Sequence, residues 1–238
     1  MSLARVPRLM RLTAAHVALL PAKIDDPGPM PIESKEPLSD AFYQKATSDL
    51  LAAVPPGGEL WLFAFGSLIW NKRFDFVEER AGVVQGWHPQ FSLGPDTRYR
   101  GNPQAPSYML SLERDGEGQG MVYRFPPETL AANVERLLRL EPPFPPQWVT
   151  VDTDKGPIRA FAFTAPDKSI GYSVNLTDEA VSVFLARAVG KFGSMAEYVY
   201  ATVRQLEELG LCDDRLWRIQ ELVAAQIEAD FPDKFPAR

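Results

Sequence analysis

The sequence predicts an α+β fold, with a small, mostly antiparallel β-sheet or barrel in its middle and helices flanking it. Three observations carry this. Strand-like segments cluster between residues 60 and 165, separated by turn signals. The last third of the chain reads as helix. The strands do not alternate with helices and no GxGxxG follows any of them, which speaks against a doubly wound nucleotide-binding sheet.

Taken in order, residues 20–38 hold five prolines, so the segment is expected to be extended or irregular. "SDAFYQKATSDLLAAV" follows, with Ser39 as a helix N-cap and Phe42, Ala46, Leu50 and Leu51 on one face. "PPGG" at 55–58 ends that helix, and "LWLFAF" at 60–65 is the first strand. "AGVVQGWHPQFSL" (81–93) reads as a bent or paired strand. "SYMLSLER" (107–114) and "QGMVYRF" (119–125) are expected to form a hairpin about "DGEG". "PPETLAANVERLLRLE" (126–141) is an amphipathic helix opened by proline, with Leu130, Val134, Leu137 and Leu138 as its buried stripe. "QWVTVDTD" (147–154) and "IRAFAFTA" (158–165) form a second hairpin. Three helices close the chain. The first spans 176–193 with Thr177 as cap, and the second spans 194–210 with a Ser194/Glu197 capping box and Gly210 as C-cap. The third spans 213–231. The division expected is an N-terminal extension over 1–57, with a proline-rich arm and one helix, and an α+β domain over 58–238.

Composition narrows the function. Hydrophobic residues make up 45% of the chain, enough for an ordinary core. The net charge of −6 and the lack of a basic run argue against nucleic acid as a partner. No apolar run approaches the ~20 residues of a membrane span, so no membrane association is expected. The start of the chain lacks the pattern of a signal peptide, and the cytoplasm is the default location. One cysteine, Cys212, excludes an internal disulfide. With only two histidines, His16 and His88, a zinc site is not expected and catalysis is pushed toward carboxylates.

Three places could carry chemistry. In "FGSL" (65–68) a glycine in the positive-φ region would let consecutive amides converge on an anion, with the Ser67 hydroxyl as a further donor; the plainer alternative is a strand ending in a bulge. In "TRYRGNP" (97–103), Arg98 and Arg100 share a face and could fork onto a carboxylate, or simply sit in a solvated loop. Glu141 lies at the apolar end of its helix, where partial desolvation and the helix dipole would both raise its pKa and suit it to general-base work; otherwise it is an exposed residue at a frayed end. Tyr198 and Tyr200 fit core packing, His16 and His88 fit structural roles, and Cys212 fits an inert one.

"LWLFAFGSLIW" (60–70), "GWHPQFSL" (86–93), "YRGNPQAP" (99–106), "GMVYRFPPE" (120–128) and "GSMAEYVYATVRQLEELG" (193–210) together resemble the ChaC-like γ-glutamylcyclotransferase family. The arm "DDPGPMPIE" is similar to the lead-in of its bacterial members, and the resemblance runs from about Leu12 to Val223. It implies a small β-barrel flanked by helices. It also implies cleavage of glutathione to 5-oxoproline and cysteinylglycine without cofactor or metal. The loop written Tyr-Gly-Ser-Leu in the family is here Phe65-Gly66-Ser67-Leu68, and with Ile69 it is expected to cradle the γ-glutamyl group. The arginine of the family's "RGTP" falls on Arg100, here in "RGNP", as a substrate-carboxylate ligand. The catalytic glutamate, in "REM" in the family, falls on Glu141, followed here by "PPFPPQW". The same chemistry on another γ-glutamyl amine or dipeptide, or a non-catalytic binding protein on the same scaffold, are the alternatives.

Overall fold

The structure, a computed structural model, describes residues 8–30, 38–164 and 175–235. These gather into two compact units. One draws on Met1–Glu33, Phe91–Leu110 and Asp167–Arg238, the other on Ser34–Gln90 and Ser111–Pro166.

Five strands form a closed barrel in the order β1-β3-β2-β4-β5: β1 Trp61–Ala64, β2 Glu78–Asp96, β3 Ser107–Arg124, β4 Gln147–Thr153 and β5 Gly156–Ala162. β1 runs antiparallel to β3 from Trp61↔Arg124 to Ala64↔Met121, and β4 runs antiparallel to β5 from Gln147↔Ala162 to Thr153↔Gly156. β2 meets β4 through Gly82↔Thr153 to Val84↔Val151. The barrel closes where Leu62 of β1 lies parallel to Phe161 of β5. Closure leaves no unpaired edge among these strands. Leu62, Phe63, Leu112, Val122, Tyr123, Val151 and Phe161 are essentially fully buried.

The second long strand, β3, differs from expectation. The hairpin expected over 107–125 is the single strand β3, and "DGEG" lies inside it. Asp115 has φ 68, a local kink, and the chain does not reverse there. The neighbouring glycines serve close packing. A Cβ at Gly116 would lie 2.8 Å from Nδ1 of His88, and one at Gly118 would lie 2.7 Å from Cδ of Pro89. The glycines therefore let β3 pass close to β2 where the sequence suggested a turn.

In the unit holding Ser34–Gln90, helix α2 (Asp40–Ala52) packs on α4 (Leu130–Leu138). Ser39 caps α2 by accepting from Phe42 N–H at 3.2 Å. The face predicted for α2 is rotated, because Thr47 and Leu50 are buried and Phe42 is exposed. α4 buries Val134, Leu137 and Leu138 as expected, and Leu130 is half-buried.

In the other unit, α5 (Asp178–Arg187), α6 (Met195–Glu208) and α7 (Asp214–Asp230) pack together, with the single turn α1 (Ala14–Val17) against α6 and α7. Thr177, Ser194 and Asp213 cap the three long helices by accepting amide hydrogens. Gly210 takes the left-handed C-terminal position with φ 71. The helix expected over 176–193 stops at Arg187, and residues 189–194 turn into the two-residue strands β6 (Val189–Gly190) and β7 (Gly193–Ser194). Among the described residues no helix is long and apolar enough to cross a membrane.

Candidate active site

The stretch Leu60–Phe65 is buried throughout and delivers the chain to Gly66. Gly66 has φ −128 and ψ −131, so the positive φ that a nest would use is absent, and the strand does not end in a bulge. A single helical turn, α3 (Ser67–Trp70), begins there instead, with Ile69 N–H donating to Gly66 O at 3.0 Å and Asn71 N–H to Ser67 O at 2.7 Å. Phe65 stacks on Phe63 with centroids 6.1 Å apart, and Ile69 is buried, so the turn is anchored on both sides. Between these anchors Ser67 and Leu68 remain half-exposed.

Glu141 lies in the same unit, three residues beyond α4. Arg139, Leu140 and Glu141 N–H bond back to the carbonyls of Glu135, Leu137 and Leu137, winding one last turn. Pro142 then prevents continuation, and the residue before a proline is steered out of the helical region. Phe144 N–H donates to Pro142 O at 2.7 Å, and with Pro143, Pro145 and Pro146 this makes a stiff exit. The Glu141 carboxyl is half-buried, and among the described residues it makes no hydrogen bond. Burial pushes its pKa up to about 7, while the Arg73 guanidinium pulls weakly the other way. Desolvation is the largest cause, in the direction the sequence suggested. The contrast with other displaced carboxylates is direct. Glu78, Glu179, Glu228 and Asp230 are held below the ordinary range by arginine or backbone partners, and Asp213, the other raised one, caps α7.

Arg100 lies in the other unit, on the segment after β2. Its guanidinium is 11% exposed and anchored through Nη1, which donates to Ser194 O at 3.1 Å and to Glu197 Oε2 at 2.8 Å. The ring of Tyr198 lies below it at 5.7 Å. Arg98 is turned to a different task, forking onto Asp26 at 2.8 Å and 2.8 Å. Lys191 adds a third contact to Asp26 at 3.1 Å, and together these cations hold that carboxyl well below its usual range.

Two contacts in the arginine's surroundings went unread in the sequence, those of Asp96 and of the Glu197 carboxylate. Asp96 is buried, and its carboxylate accepts the N–H groups of Arg98, Tyr99 and Arg100 at 2.9, 2.8 and 2.7 Å. An Asp just ahead of a turn-forming "TRYRG" was its available signal. Glu197 stood as half of a capping box, but its carboxylate goes to Arg100. The histidines are structural: His16 sits between Thr13 and Glu228 and stacks on Phe235, and His88 contacts Gln90. Among the described residues no group of three His, Cys, Asp or Glu is placed to hold a metal ion.

Residues 60–226 match the family model described as ChaC-like protein. The chain is 32% identical over 187 residues to the glutathione-specific γ-glutamylcyclotransferase of Escherichia coli, covering 77% of this chain and 80% of that protein. It is 27% identical over 219 residues to glutathione-specific γ-glutamylcyclotransferase 1 of Homo sapiens, covering 85% and 92%. Among solved structures, the yeast γ-glutamyl cyclotransferase specific to glutathione superposes with a TM-score of 0.61 at 16% identity, over 71% of this chain and 99% of that one, which establishes the shared fold. On the match over 60–226, well over half of its length, the chain belongs to the ChaC-like protein family.

Proposed function

We propose that this protein is a γ-glutamylcyclotransferase that cleaves glutathione to 5-oxoproline and cysteinylglycine. The observation that carries the reading is the Glu141 carboxyl at the stiff exit of α4, which makes no hydrogen bond among the described residues and is pushed by desolvation up to about 7. A general base works best when its pKa is near the working pH. The names of the curated relatives support glutathione as the substrate.

The chemistry needs one such group. The α-ammonium of the γ-glutamyl residue has an ordinary pKa near 8. Glu141 takes a proton from it, and the freed amine attacks the γ-carbonyl carbon of the same molecule. A new C–N bond closes a five-membered ring and the carbonyl oxygen becomes an oxyanion. As the oxyanion collapses, the γ-C–N bond to cysteine breaks. Glu141 delivers the proton it has carried to the cysteine nitrogen as that bond breaks. The ring nitrogen still holds two hydrogens after the attack, and it passes one through the regenerated Glu141 carboxylate to the departing amine, so the products are the neutral lactam and an ammonium. Ring closure is intramolecular, so holding the substrate in a folded pose supplies much of the acceleration. In this reading Phe65, Gly66, Ser67, Leu68 and Ile69 hold the γ-glutamyl group, and Arg100 takes a substrate carboxylate. We assign the activity to the cytoplasm, in keeping with a chain that has a single cysteine.

Release of 5-oxoproline from glutathione, measured for the wild type beside Glu141→Gln, tests the proposal. Gln keeps the shape and removes the base. Release by the wild type and a loss of at least about a thousandfold in the variant is the expected result. Equal release by both would move catalysis away from Glu141. The proline-laden exit after Glu141 favours a second reading, the same reaction on another γ-glutamyl amine or dipeptide. Release from γ-glutamyl dipeptides, with none from glutathione, would establish it instead.

A further inference from the structure

Arg100 is held from two sides by carboxylates, in a manner that leaves half of its fork open. On the backbone side, Oδ1 of Asp96 accepts from Arg98 and Tyr99 N–H, and Oδ2 accepts from Arg100 N–H alone, at 2.7 Å. Asp96 is 2% exposed, so these three bonds satisfy a buried carboxylate at the point where the chain leaves β2. On the side-chain side, Glu197 and Ser194 O hold Nη1. Among the described residues Nε and Nη2 of Arg100 make no hydrogen bond. Nε and Nη2 together form the side-on edge with which a guanidinium grips a carboxylate through two parallel bonds.

The chain around the arginine is built for this grip. Lys191 N–H donates to Arg98 O at 3.1 Å and Phe192 N–H to Tyr99 O at 2.8 Å, so the β6–β7 turn is laced along residues 98–99. A Cβ on Gly190 would come within 2.4 Å of the Tyr99 carbonyl, and one on Gly193, at φ +112, within 2.5 Å of the Glu197 carboxylate. Both glycines let the backbone come close enough to hold the arginine from outside.

We infer that Asp96 and Glu197 are positioning residues for Arg100, fixing its backbone and one guanidinium nitrogen so that Nε and Nη2 meet a substrate carboxylate without reorganisation. This rests on the reading of Arg100 as the residue that holds that carboxylate. Neither positioning residue touches substrate. Each acts through the arginine, and its effect belongs in KM.

The test is a double-mutant cycle on KM and kcat for glutathione, read as 5-oxoproline release, with thermal melts of every variant. Arg100→Gln is expected to raise KM on the order of a hundredfold. Asp96→Asn keeps the size of the side chain. An amide that still accepts at the Oδ1 position presents an NH₂ to Arg100 N–H, and the Oδ2 bond is lost. It is expected to raise KM about tenfold with kcat within about twofold, and to change KM less than about twofold in the Arg100→Gln background. Effects that add across the two sites would make Asp96 a stabiliser of the fold only and overturn the inference. An Arg100→Gln variant with unchanged KM would overturn the reading of Arg100 itself, a distinguishable result. Should Asp96→Asn not fold, Glu197→Gln carries the test, because that side chain is 48% exposed and its loss leaves the core intact. It is expected to raise KM several-fold, again only when Arg100 is present. A fall in KM would show Glu197 competing with the substrate and would overturn the inference.

Discussion

Glu141 gives this protein a pH dependence with a definite sign. In the proposed mechanism Glu141 works as the ionised base, so the rate of 5-oxoproline release is expected to rise with pH through about 7. Arg73 holds that limb lower than burial alone would, and Arg73→Gln is expected to move the acid limb of kcat to higher pH. The same group acts on stability in the opposite direction. Its pKa is raised from 4.5 to about 7 on folding, so between those values the folded chain binds more protons than the unfolded one. Stability is therefore full below about 4.5 and falls as pH climbs to about 7. Glu141→Gln removes that cost, and its Tm should exceed the wild type's by a few degrees at pH 8 and match it at pH 4. A Gln variant less stable at pH 8 would contradict the desolvation of this carboxyl. The residue was legible in the sequence because apolar neighbours and prolines frame it in one short stretch. Asp96 and Glu197 were not, because each makes its contact across the fold: Glu197 meets an arginine 97 residues earlier in the chain. A capping-box pattern is satisfied equally well by a glutamate that reaches back to its helix and by one that reaches away.

At the scale of elements, the helix caps and the β4–β5 hairpin were readable because their signals are local. Ser39, Thr177 and Ser194 each accept an amide three residues on, and Gly156 turns the hairpin at φ 105. The glycines of β3 were misread because the same residue serves turns and close passage, and sequence does not distinguish the two. Gly120 is the sharpest case of passage. A Cβ there would lie 2.3 Å from Ala64 O and 2.7 Å from the Phe63 ring, where β3 crosses the end of β1. Gly120→Ala is expected to destabilise the protein by about 1–3 kcal/mol, seen as a lower urea midpoint with an unchanged slope. The step from β1 to α3 was also partly hidden. "FGSL" announces a break, but whether a strand breaks into a bulge, a nest or a helical turn depends on what anchors the far side, here the buried Ile69.

Taken whole, the chain weaves between its two units. Neither is a continuous segment, and β2 and β3 each begin in one and end in the other. Unfolding should therefore be a single event, with far- and near-ultraviolet circular dichroism tracing coincident thermal curves, and separated curves would show the units melting apart. The barrel's existence was readable from its strands, but this weaving was not, because it depends on two strands being about three times the ordinary length. The N-terminal segment shows what such a topology asks of a growing chain. Leu12 N–H bonds Gln220, Arg8 bonds Glu207 and Arg11 bonds Glu228, so the partners of residues 8–12 lie 199 to 217 residues away. At a synthesis rate of about 5–20 residues per second, residues 8–12 wait about 10–40 s for their partners to be made. Leu12, fully buried in the finished protein, lacks its partners through that interval, and Arg8 and Arg11 beside it are expected to keep the segment hydrated until they arrive.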